Sequence, residues 1–433
     1  MRSSAIHTDR ASLSAPGFPR LLSGSPDSVI DHREHVAHWG VLNVGRAAAT
    51  LLDELDISGL QGHGGAWFPV GTKWRAVGQR RARPVVVANG AEGEPASQKD
   101  AYLLTHFPHL VLDGASLAAA SLGASRIVVY VPHGLVASLS EAVRTRRHHG
   151  ADPVEFEVIT APDAFLSGQE SAVVRALNNG PALPQFVGLR SIRDRGVQGK
   201  PTLVQNVETL AHVAMIGRFG GTWFRSLGTP DSPGTALLTV SGRWADPLVI
   251  EAPLGVSFSD LLQLTSADSD MFWGALLGGY GGGWVSMPDL LASSVTEEAA
   301  RGMHSSLGAG VVALLPRSVC PLAETARVVR YMQQQGAGQC GPCINGLADL
   351  ATHVEALAYD SSALRGQLQP ILELCNLVDG RGACRHPDGV TRFVRSALTV
   401  FRHHTEQHLR GAPCREVRGP ALLPCPITRK SLQ

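Results

Sequence analysis

The sequence predicts an α/β unit followed by a small α+β module and a helical bundle. Three patterns carry that reading. Up to about residue 225, apolar β-branched runs alternate with helical periodicity; between about 232 and 310 short strand-like runs take over; after about 320 apolar residues recur at helical spacing.

Taken in order, residues 1 to about 35 mix Ser, Pro, Arg and His without periodicity and predict a mobile or loosely packed leader. Pro84–Ala88 and Arg126–Val131 predict buried parallel strands, and Leu110–Leu122 an intervening helix. Thr235–Ser241 and Pro247–Glu251 read as strands of a separate module, Ser257–Leu264 as a helix and Gly278–Gly283 as a loop. Leu322–Met332, Leu347–Leu357, Leu364–Leu377 and Val390–Phe401 predict a helical bundle, and the Pro- and Cys-bearing tail after His408 is expected to be irregular.

Composition narrows the function. At 433 residues two or three domains are expected, and a hydrophobic share of 44% against 17% charged excludes wholesale disorder. Lys+Arg 38 against Asp+Glu 37 gives a net charge of +1, so no global field favours nucleic acid. Neither Met1–Pro16 nor any later stretch has the apolar length of a signal core or a membrane span, which predicts an unexported cytoplasmic protein without direct membrane insertion. The seven cysteines all follow residue 319, with Cys340 and Cys343 closely spaced, a pattern suited to metal ligation rather than a disulfide framework. The only lysines are Lys73, Lys99, Lys200 and Lys430; three lie in glycine-rich or acidic motifs, where a compact ammonium is expected to serve a site.

Four segments carry the candidate chemistry. In Gly62–Trp74, glycines Gly62, Gly64, Gly65 and Gly71 flank His63, Phe68 and Lys73. Bare backbone amides can approach a phosphate, an ammonium can neutralise it and aromatics can cover a flat ring, although a structural turn would use the same glycines. The segment is neither the dinucleotide fingerprint nor a Walker loop. After the first strand, Asn89, Glu92 and Glu94 would face a cleft at the carboxyl ends of the sheet; a solvated acidic turn is the alternative. Phe165–Ala172, with Gly168 and Glu170, and Gly199–Leu210, with Asn206, fit the same cleft.

As an ordered set these four segments resemble the family of FMN-binding flavoprotein subunits of respiratory complex I, which includes the flavin subunits of NAD-linked hydrogenases and formate dehydrogenases; the likeness extends from about residue 55 to 405. The resemblance implies a Rossmann-like FMN- and nucleotide-binding domain over 36–230, a ubiquitin-like β-grasp, soluble-ligand-binding module over 231–315, and a helical bundle with an iron–sulfur site over 316–410, between a flexible leader (1–35) and an irregular tail (411–433). It implies flavin contacts from Gly62, His63, Gly64, Gly65, Lys73, Asn89, Glu92, Gly168, Glu170 and Asn206, nucleotide contacts from Phe68 and Glu94, and metal ligands Cys340, Cys343 and Cys384.

The chain departs from the family in several places. Ala337 stands where the family's first cluster thiolate belongs, and a methyl group cannot ligate iron. A 3Fe–4S cluster, a 4Fe–4S cluster with one non-cysteine ligand, recruitment of Cys375 or Cys320, an empty site and a zinc site all remain open readings. His63 replaces an arginine, Ala91 an aspartate, Gln169 a glutamate, Gln205 an asparagine and Phe165 a tyrosine, while Ala76 and Ser191 stand where aromatic stacking is expected. FMN binding is therefore better supported than NADH binding. The resemblance implies electron transfer from NAD(P)H or another donor through FMN to an iron–sulfur cluster, then to a ferredoxin, an iron–sulfur subunit or a membrane reductase, with the chain held through partners at the inner membrane face. The alternative is a nucleotide-deficient scaffold or a ferredoxin-linked subunit.

Overall fold

The computed structural model describes residues 18–23, 29–186, 196–242, 246–364 and 366–426. Its first sheet contains β1 (Val85–Asn89), β2 (Arg126–Pro132), β3 (Phe156–Ala161) and β4 (Thr202–Asn206) in the order β3-β2-β1-β4, all parallel. The interior strands are almost pure aliphatic because both faces are covered. Val86, Ala88, Ile127 and Val129 meet the helices on one side, while Val85, Val87, Val128 and Tyr130 meet Val173 and Val174 on the other. Helices 108–122 and 207–219 approach so closely that a Cβ on Gly114 would lie 1.9 Å from the Leu210 carbonyl oxygen.

From β1 the chain adds β2 and then β3 along one edge, whereas β4 returns to pair with the opposite edge of β1, so the winding reverses between β1 and β4. Asn89 and Asn206 are register partners at the carboxyl ends of those two strands. A crevice opens there in an open parallel sheet.

The second sheet comprises β5 (Thr235–Ser241), β6 (Leu248–Pro253), β7 (Phe272–Leu277), β8 (Gly283–Ser286) and β9 (Val311–Pro316), ordered β6-β5-β9-β7-β8. Only β5 and β9 run parallel, which with helix 258–264 gives the β-grasp arrangement. Helices 321–334, 347–359, 369–378 and 386–400 form the bundle. The stripe expected over 364–377 is interrupted: Ser361–Leu364 forms a single tight turn, and the helix begins only at Gln369, with Pro370 in its first turn. Proline is tolerated there and not further inside. Trp284 pins the β-grasp sheet to the bundle, its backbone N–H donating to Ser396 Oγ (2.8 Å) and its indole N–H to Thr325 Oγ1 (3.0 Å).

The leader is not loose where it is described. The backbone N–H groups of Arg20, Leu21 and Leu22 converge on Glu251 Oε2, and the buried Arg20 guanidinium donates to the Phe224 and Trp223 carbonyls. Among the described residues, no helix is long and apolar enough to cross a membrane.

A buried ion cluster joins the first two modules. Lys99 Nζ lies 2.7 Å from Asp100 Oδ1 and 2.8 Å from Glu208 Oε2, while Glu208 Oε1 accepts from the Leu237 N–H of β5 (2.8 Å) and Asn206 Nδ2 donates to Asp100 Oδ2 (2.6 Å). Burial alone would lower Lys99, but Asp100, Glu208 and Glu92 together raise it well above the ordinary lysine value, so it stays charged. Lys99→Met should leave two buried carboxylates uncompensated and lower the free energy of the first urea-unfolding transition by about 3–5 kcal/mol. A loss below about 1 kcal/mol would show that the carboxylates do not depend on this ammonium.

Candidate functional site

The glycine loop is anchored through its side chains and presents its backbone. Gly62 N–H donates to the Phe68 carbonyl (2.9 Å), Val70 N–H donates to the Leu60 carbonyl (3.0 Å), and Trp67 is buried in the β-grasp core. His63 donates its backbone N–H to Thr209 Oγ1 (2.9 Å), and its buried ring packs on Trp67 and His212 at 4.7 and 4.9 Å between centroids. Between these anchors Gly64, Gly65 and Ala66 are exposed. Gly65 has φ +102° with nothing within 4 Å of where a Cβ would stand, so its backbone faces open space; a Cβ on Gly64 would lie 3.1 Å from Asn206 Cβ. The loop tip therefore lies at the β1/β4 crevice.

The loops after β1 and β3 meet backbone to backbone beside it. A Cβ on Gly93 would lie 2.2 Å from the Phe165 carbonyl oxygen, and one on Gly168 would lie 2.4 Å from that of Ala91. Asn89 Nδ2 donates to the Gly168 carbonyl (2.8 Å). These loops, with Pro132, Tyr331 and Pro426, line a cleft beyond the strand ends.

Lys73 Nζ donates to the Val204 carbonyl (2.6 Å) and stands 3.1 Å from Glu170 Oε1, at the first turn of helix 170–177. Asn206 Oδ1 caps helix 207–219 through the N–H groups of Glu208 and Thr209. Glu92 borders the cleft, but its oxygens accept from Ser97 Oγ and the Asp100 and Ala101 N–H groups, closing the start of helix 99–106. Glu94 reaches across to the second module, accepting from Tyr280 N–H at 2.7 Å and Ala96 N–H at 3.2 Å. Gly279 leaves room for that carboxylate, since a Cβ there would lie 2.4 Å from Glu94 Oε2. Phe68 is 42% exposed, presenting an aromatic face.

Thus Gly64, Gly65, Asn89, Gly168 and Asn206 converge on one crevice with Lys73 and Glu170 at its side, whereas the His63 ring turns into the interior. Burial pushes His63 down to about 3, so it is neutral. It faces Glu208 with His212, but Lys99 already neutralises that carboxylate. The sequence reading did not foresee Lys99 as an interior cation or Tyr280 as the partner of Glu94. The adjacency of Lys99 to the acidic loop was the available signal for the first; for the second, 186 residues apart, there was none. Ser191, Lys430 and the rest of the leader and tail lie outside the described residues.

The cysteines sit on two turns of the bundle. Cys340 precedes a wide helical turn at 342–346 that contains Cys343, and Cys384 lies just before helix 386–400. Cys343 Sγ accepts from Gly338 N–H (3.3 Å) and Cys340 Sγ from Ala383 N–H (3.5 Å), bonds that orient the two sulfurs. Burial pushes Cys384 up, and the neighbouring Cys343 and Cys340 add to this. Thiolates around one tetrahedral ion with bonds of about 2.3 Å stand about 4 Å apart. Among the described residues the ligand groups drawn within 4.8 Å are Cys320–His408–Cys414 and His63–Glu208–His212, not these three thiols. Cys375 is fully buried in its helix, and Cys320 lies in the group with His408 and Cys414.

The cleft and the cysteine turns are neighbours. Phe165 N–H donates to Gln335 Oε1 (3.2 Å), its ring meets His386 at 5.6 Å, and Arg175 donates to Gln339 Oε1 (3.0 Å).

Two regions of the chain match known families. The Nuo51 FMN-binding domain matches residues 55–215, and the NADH-ubiquinone oxidoreductase-F iron–sulfur binding region matches residues 287–408. A subunit of the NADH-quinone oxidoreductase of Streptomyces coelicolor is 29% identical over 411 residues, covering 88% of each chain, and its counterpart in Rickettsia felis is 26% identical over 384 residues, covering 83% of this chain and 89% of its own. An NAD+-reducing NiFe hydrogenase crystal structure in the air-oxidized state superposes with TM-score 0.77 at 28% identity, covering 88% of this chain; the H2-reduced state gives 0.75 at 27%, covering 86%. The chain spans 66% and 64% of those two hydrogenase chains.

Burial raises the Glu94 carboxyl to about 7, against two backbone hydrogen bonds that lower it. Its folded value exceeds the unfolded one, so the stability it contributes is complete below about pH 4.5 and is lost as pH rises towards 7. Glu94→Gln should flatten the fall in thermal midpoint across that window; an unchanged slope would remove Glu94 as its source.

Proposed function

The chain belongs to the family of FMN-binding flavoprotein subunits of respiratory complex I, and from that premise we propose that it is an NADH dehydrogenase-like oxidoreductase passing electrons from NADH through FMN to an iron–sulfur cluster. When bound, FMN accepts a hydride as an electron pair and releases electrons singly, and the cluster takes them one at a time. The observation that carries the proposal is the adjacency of the glycine-lined crevice to the three-thiol turns, bridged by Phe165 and Gln335.

The residues fit both groups. The exposed backbone of Gly64, Gly65 and Ala66 offers amides to a phosphate, and Lys73 supplies its counter-charge. Asn89 and Asn206, each tied to backbone or carboxylate, hold polar atoms at the crevice floor for a polyol chain or a ring edge. Glu170 tethers Lys73, Gly168 allows the loop after β3 to close against the loop after β1, and Glu92 keeps helix 99–106 in place below them. His63 acts indirectly, packing the base of the loop. Phe68 offers an exposed face to a nicotinamide nucleotide, while Glu94 fixes the β-grasp turn against the cleft. Cys340, Cys343 and Cys384 would hold the cluster: three thiolates suffice for 3Fe–4S, and 4Fe–4S would need one further, non-cysteine ligand. An iron–sulfur subunit or ferredoxin at the exposed side of the cysteine turns is the partner of this scheme, and attachment to a membrane reductase would come through it.

Lys73→Ala should weaken FMN binding about tenfold, the loss of one charge-assisted contact. Flavin fluorescence titration measures it. Cys384→Ala should retain flavin and abolish the iron signal in electron paramagnetic resonance. Failure of the folded wild-type chain to take up FMN at saturating concentration would overturn the proposal, as would absence of flavin bleaching by NADH.

A further inference from the structure

We propose that Cys320, His408 and Cys414 form a second, mononuclear metal site, a structural zinc centre that fastens the C-terminal tail to the helical bundle. Their ligand atoms all lie within 4.8 Å of one another, and the residues are 1%, 1% and 8% exposed. They come from three separate places: the N-cap of helix 321–334, the end of helix 402–409 and the tail. A soft donor set of two thiols and an imidazole, dry and at single-ion spacing, is chemistry suited to zinc.

The surroundings prepare each donor. His408 Nδ1 sits 3.2 and 3.1 Å from the Leu357 and Ala358 carbonyls, which accept its proton and leave Nε2 with the lone pair. That Nε2 faces Cys320 Sγ at 3.8 Å, and its lone pair accepts the Cys414 backbone N–H at 3.1 Å, a bond that the ion would replace. Ser361 Oγ donates to the His408 carbonyl (2.6 Å), fixing the ring's backbone. Cys320 Sγ accepts from Ala323 N–H (3.4 Å) in the first turn of its helix, which fixes the sulfur. The Glu416 carboxylate, beside the Cys414 thiol, would complete a tetrahedron. A surface groove lined by Leu357, Ala358, Ser361, His408 and Pro413 provides access. Binding replaces the two thiol protons, which leave to solvent as the two metal–sulfur bonds form.

The site stands at the root of the tail. Downstream, Glu324 accepts from the Leu422 and Leu423 N–H groups, Tyr280 O–H donates to the Pro424 carbonyl, and Pro426 lines the cleft. The other compact group, His63–Glu208–His212, does not compete, because Lys99 already fills its cationic position.

Elemental analysis of the full-length protein, purified from zinc-supplemented medium without chelator, tests the assignment. One zinc per chain is expected, lost from Cys414→Ser and His408→Gln with iron and flavin retained, and kept in Cys343→Ser, which loses iron instead. The zinc absorption edge should show sulfur at about 2.3 Å and nitrogen at about 2.0 Å. Wild-type protein without zinc, zinc retained in both folded variants, or a Cys320–Cys414 disulfide in the mass spectrum would overturn it. Should either variant fail to fold by circular dichroism, the wild-type zinc content and edge spectrum decide alone.

Discussion

The Lys99 ammonium is the constraint on which the arrangement depends. It sits where helix 99–106, helix 207–219 and strand β5 meet, and its two carboxylate partners also bind a backbone amide of β5 and the Asn206 side chain. A buried charge needs all its partners at once. Satisfying Lys99 therefore sets the β-grasp sheet against the parallel sheet and sets Asn206 at the crevice, so one interior ion cluster positions both walls of the site.

Around that cluster, the site is shaped by absent side chains. Gly93 and Gly168 let two loops touch at the carboxyl ends of the strands, Gly114 lets two helices close behind the sheet, and Gly279 admits Glu94 from another module. Each is a contact of a backbone atom or carboxylate that any Cβ would occupy. The glycine loop itself works by division of labour: Trp67 and His63 go inward, so the amides between them go outward.

The bundle separates two uses of cysteine. Cys340, Cys343 and Cys384 lie on turns whose N–H groups point at sulfur, next to the loop after β3 through Phe165 and Gln335. Cys320 and Cys414 form a separate group in the same bundle with a histidine between them. Spacing along the chain does not distinguish these groups; distance in space does.

Much of the architecture was legible in the chain. β1 and β2 are valine-rich because parallel strands are covered on both faces, and the bundle helices show their apolar stripes. β3 and β4, which carry polar residues, were not read, nor were the later strands of the β-grasp sheet, and Pro370 broke a stripe that periodicity ran together. The sequence alone determined the residue types at the crevice and the lack of a fourth thiol at Ala337, since these are covalent facts. Only the tertiary structure decided that His63 and Lys99 face inward, that Glu94 spans to Tyr280, and that Cys320 meets Cys414. Those are outcomes of burial and of partners brought together from distant parts of the chain, and local pattern carries no record of which distant group will be there.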